Sequence, residues 1–183
     1  MTMPTFTDGV LVHAASLTSL SAGVNSINSL LTGAVAPRLY VPTATATITS
    51  NTSIGNATDT IITFDAAGVN NDTMWAAAVN HFTIKTAGVY LAWAQCQFAA
   101  AAGGIRAAYI LLNGTSVVTN AVAAGFRNPQ SFGDGNYFTV VTPPLSLAVN
   151  ATLYFSVFQS SGAALNMTTT SSGAFMGLVR IGS

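Results

Sequence analysis

The chain has 183 residues, half of them apolar, which is enough for one domain core plus a short appendage. Only 5% are charged, against about 25% in an average soluble chain. Five basic residues (Arg38, Lys85, Arg106, Arg127, Arg180) balance five Asp (Asp8, Asp59, Asp65, Asp72, Asp134), and Glu is absent, so the Lys/Arg clusters that nucleic acid or an anionic membrane demands are missing. A surface so poor in charge predicts burial in a stable oligomer. No apolar run approaches the roughly 20 residues of a membrane-spanning helix. The first ten residues, MTMPTFTDGV, lack the basic region and apolar block of a signal peptide. The single Cys, Cys96, leaves no internal disulfide.

Residues 1–12 read as an extended arm with a turn at Asp8-Gly9. Residues 13–32 read as a helix, because Leu17, Leu20, Val24, Ile27 and Leu31 form a seam with the alternating three-and-four spacing of a heptad. That seam fits either docking on the chain's own domain or association around an axis. Gly33 is a stop signal, and Pro37 and Pro42 frame a linker. This gives an attachment segment over 1–43 and a β domain over 44–183. Strands are expected near 44–50, 60–65, 80–86, 88–99, 105–113, 115–123, 136–142, 151–159 and 173–181, where Val, Ile, Thr, Tyr and Phe dominate. Asn113-Gly114, Gly133-Asp134-Gly135-Asn136, Pro143-Pro144 and Ser160-Ser161-Gly162 supply turns. Ala99–Gly104 reads as a loop. The fold class is all-β, an antiparallel jelly-roll sandwich after a short arm and one helix.

The segment His81–Phe98, HFTIKTAGVYLAWAQCQF, organises this domain. Val89, Leu91 and Trp93 alternate with Tyr90, Ala92, Ala94, Cys96 and Phe98, so both faces of one strand are apolar. Leu153–Phe158 and Phe175–Val179 repeat the pattern. A strand with one wet face alternates apolar and polar. One face of each strand can fill a sandwich, and the other needs a second partner, most simply a neighbouring protomer.

Three stretches carry a family resemblance: F-T-I-x-T-A-G-V-Y-L at Phe82–Leu91, P-L-x-L-x-x-N-A-T-L-Y-F-x-V at Pro144–Val157, and F-M-G-L-V-R-I at Phe175–Ile181. Their order resembles the trimeric jelly roll of the complement globular head and tumour necrosis factor (TNF) superfamily. It resembles most the versions at the C-termini of tailed-phage structural proteins, over about residues 44–183. The N-terminal part resembles attachment segments of actinobacterial phage virion proteins. Many relatives carry an acidic Gly-Asp where this chain has Val149-Asn150-Ala151. The resemblance implies a homotrimer, with Tyr90, Tyr154, Phe158 and Met176 as candidates for its interface and the opposite rows in the sandwich, or the two rows exchanged.

Residues for chemistry are sparse. His13, His81 and Cys96 are the candidates for a nucleophile–base pair, and Cys96 is expected in apolar surroundings where a thiol is inert. Two His and no local cluster do not make a zinc site. Asp59, Asp65 and Asp72 lack calcium-loop spacing. Gly103-Gly104 and Gly133-x-Gly135 precede no helix, so they are not phosphate loops. Sequons at Asn51, Asn56, Asn71, Asn113, Asn150 and Asn166 are expected to carry no glycan. Tyr40, Trp75 and Phe126 are expected to pack against a neighbour; the alternative is that they are exposed and stack on sugars. No catalytic residue, metal or cofactor is expected. The expected function is a non-enzymatic homotrimer on the surface of a tailed-phage virion: a capsid decoration protein or head fibre, or a minor tail protein. Its partners would be itself and other virion proteins (major capsid or tail proteins), with no nucleic acid and no membrane. The alternative is a tail-fibre tip that binds a host-surface receptor or glycan.

Overall fold

β-branched and aromatic runs punctuated by Gly, Pro and Asn produce short strands and tight turns throughout. The computed structural model describes residues 41–77, 79–128, 136–169 and 173–183. The expected arm, the helix with its seam Leu17, Leu20, Val24, Ile27 and Leu31, and the linker at Pro37 lie outside the described residues, as do His13 and the turn at Gly133-Asp134-Gly135. In chain order the strands are β1 (Thr43–Thr47), β2 (Thr52–Ile54), β3 (Thr60–Ile61), β4 (Ala66–Asn70), β5 (His81–Thr83), β6 (Gly88–Gln97), β7 (Arg106–Leu112), β8 (Ala121–Arg127), β9 (Tyr137–Val141), β10 (Leu145–Leu147), β11 (Thr152–Gln159), β12 (Leu165–Met167) and β13 (Phe175–Gly182). One helical turn, α1 (Val117–Asn120), precedes β8.

All pairings among the described strands are antiparallel. The first sheet runs β10-β6-β13-β1-β4, with β9 also on β6. The second runs β3-β11-β7-β8, with β5 also on β11. β2 and β12 form a separate ribbon. This is the expected jelly-roll sandwich.

The inward rows of the two sheets make one core. Ala92, Ala94 and Cys96 of β6 are small, and Ala94 and Ala92 pair with Met176 and Leu178 of β13. Large against small lets the layers interdigitate at native density. Phe155 stacks on Phe64 at 6.3 Å and 13°, and Phe98 meets Phe138 edge-on at 5.9 Å. Burial of Cys96 in this apolar layer pushes its thiol up to about 12.

Several local expectations change. The stretch 60–65 is not one strand: Thr60–Ile61 pairs with β11, and Ala66–Asn70 then pairs with β1, so the chain changes sheets in between. Asp65 anchors that crossing, accepting from Thr49 N (2.8 Å) and Thr49 Oγ1 (2.9 Å). The stretch 115–123 is not a strand throughout. Asn120 folds over Gly114, where a Cβ would sit 2.6 Å from the amide oxygen, and donates to Leu112 O at 3.0 Å. That closure turns Val117–Asn120 into α1, and the strand starts at Ala121. Pro143-Pro144 separates β9 from β10, and Thr142 bridges the gap. Its Oγ1 accepts from Ala92 N at 3.0 Å, and its N donates to Ala92 O at 2.9 Å.

Asparagine takes over much of the loop chemistry. Asn51 Oδ1 accepts from Thr169 N, Asn56 Oδ1 from Gly162 N, Asn71 Oδ1 from Thr43 N and Asn113 Oδ1 from Thr152 N. Asn113 and Asn150 hold left-handed φ of 54° and 69°, a conformation Asn tolerates better than most residues. Four of the six sequon asparagines thus tie loops together, and Asn150 makes the turn into β11.

Candidate interaction surface

The outward row of the first sheet is built from β1, β6, β9 and β13. Leu91 pairs with Val179, Trp93 with Gly177 and Val141, and Gln95 with Phe175 and Thr139. β1 adds Thr43, Thr45 and Thr47, whose alternate neighbours Ala44 and Ala46 are core. None of these side chains is charged. Trp93 lies flat over Gly177, where a Cβ would sit 2.5 Å from its ring. The glycine of the closing strand therefore creates a seat for the indole. Val141, at 52% exposed, and Tyr137 extend the apolar surface toward the sheet edge. At the other end a Cβ on Gly88 would collide with Arg180 Nε, so the A-G-V-Y turn leaves room for that side chain.

Two expected interface residues are corrected. Tyr90 and Met176 are 0% exposed within a single protomer and face the sandwich interior. Their row carries the small alanines that let the two sheets approach, so they have no area left for a partner. Tyr90 OH instead donates to Thr86 O at 2.6 Å. Tyr154 and Phe158 do face outward, half-buried, but on the second sheet beside β7. The four residues therefore do not share a surface. Leu91, Trp93, Phe175 and Val179, expected in the sandwich, form the outer face of the first sheet.

The candidates for chemistry stay apart. His81 lies outside the second sheet, its ring 5.0 Å from Tyr154, whereas Cys96 points into the core from the first sheet. Among the described residues no group of three or more His, Cys, Asp or Glu could hold a metal ion. No helix of the described residues is long and apolar enough to cross a membrane. Trp75 is buried.

Phe126 is 63% exposed and stands edge-on against Tyr109 at 5.5 Å. Burial and, second, the Asp59 carboxylate raise the Tyr109 hydroxyl above its ordinary range. Phe126 shares a cleft of about 350 Å³ with Ile105, Arg127 and Asn128. Arg106 is buried, and burial lowers its guanidinium from the usual arginine range. Phe126 is the sequence candidate here; Arg127 falls outside the strand expected near 115–123, and only the register sets it opposite Arg106.

No protein-family model matches the chain, and no curated protein matches it. Solved structures do. A crystal structure of murine APRIL is similar with a TM-score of 0.56 at 14% identity, covering 78% of this chain and all of that one. The Eiger TNF of S. frugiperda gives 0.53 at 12% identity, covering 78% and 94%. The fold is a TNF-like jelly roll.

Proposed function

We propose that this chain is a non-enzymatic structural protein of a tailed-phage virion, a homotrimer on the particle surface that acts as a capsid decoration protein or head fibre. A minor tail protein is the neighbouring variant of the same role. The observation that carries the proposal is the uncharged outer face of the first sheet. Within one protomer Leu91, Trp93, Phe175 and Val179 are only half-buried and Val141 is exposed, so apolar area on this face remains in water. A partner surface that covers them gains about 25 cal/mol for each Å² of apolar area removed from water. A second copy is the simplest occupant, because charge is scarce over the whole chain; about a threefold axis the contact is heterologous, this face of one protomer meeting a different patch of its neighbour. Trimerisation is also what the TNF-like fold and the quoted motifs lead one to expect. The phage role rests on the resemblance of Phe82–Leu91, Pro144–Val157 and Phe175–Ile181 to phage structural modules. Residues 1–43, with the seam Leu17 to Leu31, would fasten the trimer to capsid or tail proteins.

The test is immunoelectron microscopy of purified particles with antibody against residues 42–183. Labelling spread over the head supports decoration, and labelling confined to the tail selects the minor tail protein. Particles that carry none of the protein would refute a virion role. Deleting residues 1–40 should abolish attachment while leaving the trimer; unchanged attachment would refute the anchor.

A further inference from the structure

Gly177 lies on the outward row of β13, between its register partners Trp93 and Thr45, yet it is buried. The indole covers it. A Cβ at Gly177 would sit 2.5 Å from Trp93 Cζ2, 2.7 Å from Cε2 and 3.0 Å from Thr45 Cγ2. Gly177 does not hold a left-handed φ, so its backbone tolerates a side chain and only the ring excludes one. Alanine here would lift the benzo edge of the indole off the sheet. Val141 pairs with Trp93 from the other side, so the row runs Val141, Trp93, Gly177, Thr45 with the ring lying across its middle. A ring already laid down by its own sheet loses little further freedom when a partner covers it, and tryptophan is a common anchor of buried contacts. Trp93 is half-buried in one protomer. Among the described residues its indole N–H has no hydrogen-bond partner and, unlike that of Trp75, is not sealed from solvent. Covering this face would strand that donor unless the covering surface supplies an acceptor.

We propose that Trp93, laid flat by Gly177, is the anchor of the contact between protomers and donates its indole N–H to an uncharged oxygen of the neighbouring copy. A carboxylate is the wrong acceptor, because it would enter an uncharged face with no countercharge to meet it. A Ser, Thr, Asn or Gln oxygen or a backbone carbonyl satisfies the donor without that cost. Gly177 then acts as a positioning residue: it touches no partner and sets the height at which the indole meets one. The inference rests on the homotrimer reading but not on the virion role.

The test uses the full chain, by light scattering on dilution and by NMR of isotope-labelled protein. The chain has two tryptophans, so two indole N–H signals appear, and Trp93→Phe assigns them. In the parent assembly the Trp93 signal should exchange with deuterium at least about tenfold more slowly than in dissociated Val141→Glu. Trp75, whose N–H is buried within the protomer, should be slow in both. Gly177→Ala and Trp93→Phe should each weaken association by at least about tenfold while staying folded by circular dichroism. In the Trp93→Leu background the Gly177→Ala change should weaken association no further, because no ring remains to be lifted. A parent of one chain mass, or a Val141→Glu that stays assembled, refutes the face reading and the anchor with it. The anchor alone is overturned if the parent is a trimer in which Gly177→Ala assembles unchanged, weakens assembly equally in the Trp93→Leu background, or leaves Trp93 N–H exchanging as fast in the parent as in Val141→Glu. Should Gly177→Ala fail to fold, Trp93→Phe and the exchange rates decide.

Discussion

Val141→Glu separates a lone protomer from an assembly. Val141 is 52% exposed in the single chain, and its side chain lies beside Trp93 on the outer face of the first sheet. In a free protomer the new carboxylate stays in water. The cost is then limited to a lower strand preference, below about 1 kcal/mol. In an assembly that covers this face, each copy buries a charge with no partner, which costs about 3 kcal/mol per protomer. That is roughly two orders of magnitude in the association constant for each copy. Val118→Glu, on α1 at 89% exposed, introduces the same charge away from the face. Light scattering across a dilution series, with thermal melts of both variants, reads the difference. Val118→Glu should keep the parent assembly, and Val141→Glu should run as a folded monomer at micromolar concentration. If Val141→Glu holds together on dilution as the parent does, the outer face of the first sheet is not the contact. Dissociation of both variants would point to net charge rather than to a surface.

Other consequences follow from the interior and the turns. Cys96 should resist a thiol reagent at pH 8 in the native protein and react at once in guanidinium. Its thiol ionises from about 9 when unfolded but holds its proton to about 12 when folded. The unfolded state therefore binds fewer protons in that window, and stability should fall by up to about 1.4 kcal/mol per pH unit from pH 9 upward; Cys96→Ala should remove this slope in denaturant titrations. Gln159 is fully buried, donates to Ile54 O (3.1 Å) and Ala163 O (2.8 Å), and accepts from Ser161 N and Ser161 Oγ. Gln159→Ala should cost about 2–4 kcal/mol in urea unfolding, since it strands a buried carbonyl as well as losing several neutral bonds; a loss below 0.5 kcal/mol would contradict that role. Asn150→Val should cost about 1–2 kcal/mol because a β-branched residue resists φ of 69°, while Asn150→Gly should be close to neutral in the same assay.

The sandwich was legible because its signals are local: alternation within strands, Asn-Gly and Pro-Pro breaks, and no helical period after residue 32. Parity is not legible: when both rows of a strand are apolar, alternation cannot say which faces inward, so the sequence leaves the row of Tyr90 and Met176 open. The deciding facts are pairings across the sheet, Met176 with Ala94 and Trp93 with Gly177, which join residues some 80 positions apart. Short strands such as β2 and β12 were missed because three residues carry no period. Gln159 was missed because a lone polar residue at a strand end looks like surface until the loop that it bonds is seen. Phe126 stands out as an aromatic, but its place beside Tyr109 on the outer face of the second sheet needs the register of β7 and β8.

The most direct test of the account is the mass of the full-length protein in solution, taken by light scattering at two concentrations well apart. The account predicts three times the 18.7 kDa of one chain at both. A monodisperse species of one chain mass would leave the outer face of the first sheet uncovered and would contradict the homotrimer.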